Sequence, residues 1–267
     1  MRIYVCVKQV PDTSGKVAVN PDGTLNRASM ETIINPDDLM AIEQALMLKD
    51  QTGCQVTAVT MGPPPAEGML RELLAMGADD AVLISSREFG GSDTFATSQI
   101  IAGAIQHLGL QEEDIIFCGR QAIDGDTAQV GPQIAEKLNI PQITYAAEVQ
   151  KEGNCVTVKR MLEDGYMRIE AETPCLITCI KEQDSRPRYM TLNGINDCCK
   201  KPLTVLDFEA LKDEPLIEVD TIGLKGSPTN IFRSFTPPLK GAGVMLKGTD
   251  REMAAALTKA LDERHMI

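Results

Sequence analysis

The chain has 267 residues, 43% of them apolar, which is enough for one large α/β domain with an appended arm. Its formal charge of −12 argues against duplex nucleic acid as a partner, because phosphate backbones select basic faces. No run is long and apolar enough to span a bilayer, and Met1-Arg2-Ile3-Tyr4-Val5-Cys6-Val7 lacks the pattern of a signal peptide, so a cytoplasmic location is expected. The eight cysteines contain no C-x-x-C pair, and His107 and His265 have no partners at zinc spacing. Metal chemistry and Ser–His–Asp catalysis are therefore poorly supported. If electrons move here, an organic cofactor carries them.

In chain order, Ile3–Val10 reads as a first strand. Asn35-Pro36-Asp37-Asp38 looks like a helix start, with Asn as N-cap, Pro in the first position and acids in the first turn. Leu39, Ile42 and Leu46 then mark one buried face. Gln55–Met61 predicts a second strand; Leu70–Met76 lies in a helix that Gly77 stops. Ala81–Ser85 forms a third strand. Gly90-Gly91-Ser92-Asp93 is a loop before a helix with Ile101, Ile105 and Leu108 on one side; His107 reads as a charge near its C-terminus. Asp114–Cys118 is a fourth strand, followed by a helix over roughly 126–138 that buries Val130, Ile134 and Leu138. This alternation implies parallel strands joined by right-handed crossovers.

After residue 142 the pattern changes. Thr144–Gln150 and Cys155–Met161 flank Lys151-Glu152-Gly153-Asn154, a hairpin signature, and Met167–Glu170 and Leu176–Ile180 add strand-like runs. From Asp184 the chain turns irregular and proline-rich. It ends in a helix opened by the capping box Thr249-Asp250-Arg251-Glu252, with Met253, Ala256, Leu257, Ala260 and Leu261 as its apolar stripe. A tail with so little core of its own should pack on another subunit.

The most chemically suggestive run is Gly119-Arg120-Gln121-Ala122-Ile123-Asp124-Gly125-Asp126-Thr127-Ala128-Gln129-Val130-Gly131. It leaves a buried strand and opens a helix, at the edge of a parallel sheet where ligands bind. Main-chain N–H groups at 125–130 would be helix-start donors suited to an anion, and Gly119, Gly125 and Gly131 permit close approach. An ordinary capped loop, with Asp126 or Thr127 as a plain N-cap, fits the same residues. The two acids repel phosphate unless they face the helix or a ribose hydroxyl. There is neither a Walker lysine nor a G-x-G-x-x-G fingerprint.

Residues 119–131 resemble the nucleotide loop of the electron-transfer flavoprotein beta subunit. Val7-Lys8-Gln9-Val10-Pro11-Asp12, Asn35-Pro36, Met61-Gly62-Pro63 and Ala75-Met76-Gly77-Ala78-Asp79 fall in that family's order. So do Pro187-Arg188-Tyr189-Met190-Thr191-Leu192 and Gly223-Leu224-Lys225-Gly226-Ser227-Pro228-Thr229. Arg160 to Tyr166 and Pro174 to Thr178 fit as well, although Met167-Arg168 stand where a Glu or Gln is usual.

The resemblance implies a Rossmann-like, doubly wound adenine-nucleotide-binding domain over residues 1–190, with a β-hairpin. A C-terminal recognition loop and arm over 191–267 would embrace an alpha subunit. Cys6, Asn35 and Met61 match the adenosine pocket; Gly119, Asp124 and the 125–131 main chain match the phosphate site. The cofactor-binding set implied is Cys6, Val7, Lys8, Asn35, Asp38, Met61, Gly62, Gly90, Gly91, Ser92, Thr94, Gly119, Arg120, Ile123, Asp124, Gly125, Asp126, Thr127, Ala128, Gln129, Val130 and Gly131. Lys8 and Arg120 are the candidate cations beside a flavin ring.

Leu192, with Tyr189, matches the loop that docks into partner dehydrogenases, although an ordinary core leucine is the alternative. Ordinary members hold AMP here. A second class holds a second FAD, oxidises NADH and bifurcates electrons. The form Asp124-Gly125-Asp126-Thr127, the acids after Pro36, and Gly90-Gly91 as a pyrophosphate seat favour that class, although Gly90-Gly91 also fits a flexible loop. The partners then expected are the alpha subunit, an acyl-CoA dehydrogenase and a ferredoxin or flavodoxin. A plain AMP-holding carrier and an ATP-binding regulatory module remain as alternatives.

Overall fold

The computed structural model describes residues 1–12, 31–181, 185–229, 241 and 243–267. Of the irregular stretch expected from Asp184, residues 184, 230–240 and 242 lie outside these. The remainder is built on one nine-stranded sheet with helices on both faces. Its strands are β1 (Arg2–Cys6), β4 (Gln55–Met61), β5 (Asp80–Ile84), β6 (Ile115–Gly119), β7 (Gln142–Glu152), β8 (Cys155–Met161), β9 (Tyr166–Glu172), β10 (Cys175–Cys179) and β11 (Leu203–Leu206). They lie in the order β11-β5-β4-β1-β6-β10-β7-β8-β9. The strands from β11 to β7 run parallel, while β7, β8 and β9 form an antiparallel meander. The expected parallel α/β fold and hairpin are both present.

The helices follow the apolar spacing. On one face pack α1 (Pro36–Thr52) and α2 (Glu67–Met76), burying Ile42, Leu46, Leu70 and Leu73. On the other lie α3 (Thr94–His107) and α4 (Val130–Leu138), burying Ile100, Ile105 and Ile134. Each face of the central strands meets its own apolar layer, which is why β1, β4 and β6 read as nearly continuous hydrophobic runs.

Two elements differ from expectation. The first run is broken: β1 ends at Cys6, and β2 (Gln9–Pro11) turns away to pair antiparallel with β3 (Thr32–Ile34). The break follows from Asp38, whose carboxylate accepts from the Lys8 N–H, while the Asn35 N–H donates to the Lys8 carbonyl. The helix expected from 126 begins instead at Val130. Asp126 and Ala128 have φ of 49° and 52°, and a left-handed residue cannot continue a right-handed helix.

Part of the C-terminal region lies on this same chain. β11 extends the sheet beside β5, α6 (Phe208–Leu211) buries Leu211, and Ile217 and Ile222 are buried in the α3 layer. The short α7 (Gly223–Gly226) follows. By contrast α8 (Asp250–Asp262) buries no residue, although its capping box is formed by Thr249 and Glu252 as the sequence predicts.

Candidate functional site

The sheet order reverses between β1 and β6, and in an open α/β sheet the crevice beyond the strand ends at such a point receives ligands. Asp38, on the first turn of α1, ties this crevice together. Its carboxylate accepts from the Lys8 N–H at 2.8 Å and the Gly119 N–H at 2.9 Å. Gly119 is glycine by necessity, because a Cβ there would stand 2.2 Å from Asp38 Oδ1. Burial pushes the Asp38 carboxyl up to about 7, against the lowering effect of those bonds. Burial likewise raises Asp37, whose Oδ2 lies 3.2 Å from Arg120 Nε without hydrogen-bond alignment.

Asn35 stands in the N-cap position of α1, but its side chain does not cap. Wholly buried, it reaches instead into the loop after β6, donating to the Gln121 carbonyl and accepting from the Ile123 N–H. It is a clamp on that loop.

The loop from Arg120 to Gln129 follows β6 at this crevice. Gly125 and Asp126 spend their N–H groups on the Ala122 carbonyl in a turn. The N–H groups of 127–131 find no acceptor among the described residues, and Pro132 has none. The free donors are thus 127–131, where the sequence reading expected 125–130. With left-handed residues at 126 and 128, this main chain forms a concave nest of N–H groups leading into the positive end of α4. Gln129 occupies the N-cap position, where Asp126 or Thr127 was expected, and its side chain accepts from Thr94 instead.

Both acids of the loop are occupied. Lys8 Nζ lies 2.8 Å from each oxygen of Asp124, and Asp126 accepts from the Gln121 amide. The Asp124 charge is balanced by Lys8, while Asp126 is held by a neutral amide.

The three loop glycines divide in role. Gly131 lets α4 press on β10, since a Cβ would stand 2.8 Å from the Thr178 methyl. Gly125 is exposed, with nothing within 4 Å of an added Cβ. Cys6, Val7 and Cys118 are buried at the floor of the rim, where contact with Cys6 and then burial push the Cys118 thiol up. Met61 and Gly62 end β4 on the side of β1 away from the loop.

Gly90 and Gly91 are not free. The Gly90 carbonyl accepts from Leu224, and a Cβ on Gly91 would stand 3.0 Å from the Leu224 side chain. Ser92 accepts from the Gly223 N–H, and Ser227 accepts from the Asp93 N–H. Asp93 caps α3 through the Ala96 N–H and takes both the N–H and the hydroxyl of Thr229. Sequence reasoning put Gly223 to Thr229 among the family motifs but not in the site; the fold lays that segment against the start of α3. Its glycines and Ser-Pro-Thr ending were the only signal.

Tyr189 and Leu192, 91% and 87% exposed, project from a short stretch pinned at both ends. Arg188 makes ion pairs to Glu43 and Asp50, and a Cβ on Gly194 would meet the Ala75 carbonyl at 2.1 Å. Leu192 opens the short helix α5 (Leu192–Asp197), so it is not a core leucine. A surface depression lined by Met1, Gly53, Cys54 and Lys151 lies at the opposite end of the strands and contains none of these residues.

The profile described as "Electron transfer flavoprotein domain" matches residues 22–210. The chain is 78% identical to the "Acryloyl-CoA reductase electron transfer subunit gamma" of Anaerotignum propionicum, over the full length of both. It is 48% identical to the "Caffeyl-CoA reductase-Etf complex subunit CarD" of Acetobacterium woodii and 47% identical to the "Electron transfer flavoprotein subunit beta" of Clostridium acetobutylicum, again over 100% of each chain. With the α/β sheet, these relationships identify the chain as an electron-transferring, beta-type member of the electron transfer flavoprotein family.

Proposed function

We propose that this subunit seats an FAD on the 119–131 loop and works in a heterodimer with an alpha subunit. In this reading NADH is the donor. One electron stream goes to an acyl-CoA dehydrogenase or reductase and the other to a low-potential ferredoxin or flavodoxin. The relatives named for acryloyl-CoA and caffeyl-CoA reductase complexes support an acyl-CoA-linked partner. No helix among the described residues is long and apolar enough to cross a membrane, and a cytoplasmic place suits the partners proposed.

One observation carries the cofactor: five consecutive main-chain positions, 127–131, without acceptors, in a loop whose acids are already hydrogen-bonded. A diphosphate offers the complementary acceptors at an angle that a nest and a helix start can share. A flavin in this place supplies hydride acceptance and one-electron release. The protein's part is to hold and orient it. Cys6, Val7 and Met61 line the adenosine end, Asn35 and Asp38 fix the loop, and Thr94 and Gln129 join the starts of α3 and α4. Leu192 and Tyr189 are the docking residues, being large, exposed and rigidly presented.

Acid extraction of the purified heterodimer tests this. Two FAD per αβ pair, both bleached by NADH, is the expected result. One FAD and one AMP, with no reaction with NADH, would leave a plain carrier. ATP without flavin on an isolated monomer would leave a regulatory module.

A further inference from the structure

Two thiols sit side by side behind the docking residues. Cys198 and Cys199 open the single 3-10 turn Cys198–Lys200 that follows α5 directly, and their Sγ atoms are 3.9 Å apart. Of the eight cysteines Cys199 alone is exposed. Cys198 is buried and donates its thiol to the Ile195 carbonyl at 3.1 Å.

The two sulfurs lie where the docking helix is fastened. At its front, Thr191 caps α5 by accepting from the Gly194 N–H at 2.9 Å. At its rear, the Arg71 guanidinium on α2 donates to the Cys198 carbonyl at 3.0 Å and to the Lys201 carbonyl at 3.1 Å. Lys201 Nζ returns to the Leu74 and Ala78 carbonyls at the end of α2. Helix α5 buries no residue of its own. Its place therefore depends on these few end bonds, and the Cys198 main chain makes one of them.

Oxidation would change that main chain. A bond between the two sulfurs closes an eight-membered ring around the 198–199 peptide. Consecutive Cα atoms stand about 3.8 Å apart, closer than the roughly 4.4–6.8 Å of ordinary disulfides. The helical backbone of Cys198, with φ of −56° and ψ of −35°, has to open to accept the ring, and the thiol has to leave the Ile195 carbonyl. Strained, exposed disulfides are the readily reduced, regulatory ones.

Resting on the reading of Leu192 and Tyr189 as docking residues, we propose that Cys198 and Cys199 are a reversible oxidation site for hydroperoxides, and that the oxidised pair unseats the docking helix. The exposed Cys199 thiolate attacks one oxygen of hydrogen peroxide and breaks the O–O bond, giving a sulfenic acid and one water. The Cys198 thiol then attacks that sulfur, expelling a second water and forming the disulfide. The two thiols give up two electrons and two protons, and the peroxide takes them.

For the test, the purified heterodimer is treated with hydrogen peroxide, alkylated and cut with trypsin, which leaves both cysteines in one peptide, 189–200. That peptide should lack two hydrogen atoms, resist alkylation and recover both thiols in dithiothreitol. Oxidation of Met190 in the same peptide adds oxygen instead, and dithiothreitol does not remove it. Electron delivery from the photoreduced heterodimer to its acyl-CoA dehydrogenase or reductase should fall about tenfold on oxidation and return with dithiothreitol. Cys199→Ser and Cys198→Ala should each deliver normally before peroxide and escape the loss after it. No disulfide, a disulfide with delivery unchanged, or an equal loss in both variants would each overturn the inference, while slow delivery in Leu192→Ala keeps the docking reading. Normal delivery in Leu192→Ala would overturn the docking reading and the unseating with it, and the peptide mass would then decide the oxidation site by itself.

Discussion

The Asp38 carboxylate and the Gly119 main chain are built for each other: the carboxylate accepts the Gly119 N–H at 2.9 Å, in space that a single Cβ would occupy. Gly119→Ala must therefore displace the start of α1 or the end of β6. Overpacking of this kind costs about 1–3 kcal/mol. We expect a loss in the upper part of that range by urea unfolding, together with weaker nucleotide binding. Unchanged stability would show that the contact yields freely.

Asp38 also makes the fold pH-dependent. Burial raises its folded-state value from 3.8 to about 7, so the folded chain holds a proton that the unfolded chain releases. Its penalty is absent below about pH 4, grows as pH rises and is complete above about 7. Asp38→Asn should flatten the fall of stability between pH 4 and 7. It should also lose about 1 kcal/mol at low pH, because an amide oxygen replaces two acceptors. Parallel slopes for the two proteins in pH-resolved unfolding would contradict this.

Lys8 and Asp124 are both partly exposed, so their pair adds at most about 1 kcal/mol to stability. Its larger effect is on binding. Lys8→Met leaves a bare carboxylate beside the donors and should weaken nucleotide about tenfold by calorimetry, with unfolding little changed. Adding Asp124→Asn should recover most of that loss.

The Asp93 latch joins the start of α3 to Thr229. Burial opposes its charge, but the bonds from Thr229 and the Ala96 N–H outweigh this and hold the carboxyl below 3.8. Its contribution is present above that value and fades as pH falls through the lower folded-state one. Asp93→Ala removes an N-cap worth about 1 kcal/mol. It should raise hydrogen exchange across 223–229 while leaving β1 and β6 protected.

Leu192→Ala should not change stability beyond about 0.5 kcal/mol, as expected of an exposed side chain. If this leucine anchors a dehydrogenase, the change should slow electron delivery to that partner by tenfold or more and spare reduction by NADH. An equal effect on both half-reactions would remove it from the docking surface.

The parallel sheet, the hairpin, the strand Gln55–Met61 and the capping box of α8 were legible in the sequence, because local periodicity and end signals set them. The loop 119–131 was legible as a place, through its glycines after an apolar strand. Its working donors were not. Left-handed backbone at Asp126 and Ala128 is not written in residue type, and it moved the helix start to Val130. Gly90 and Gly91 looked free because the segment that covers them lies more than 130 residues further along the chain. Arg71 reached the Cys198 carbonyl only because α2 packs against the end of α5. Sequence alone determined the elements and the family, since those rest on near-neighbour pattern. Tertiary structure decided which main-chain groups stay unpaired and which distant side chains share an edge, because both depend on contacts between elements far apart in the chain.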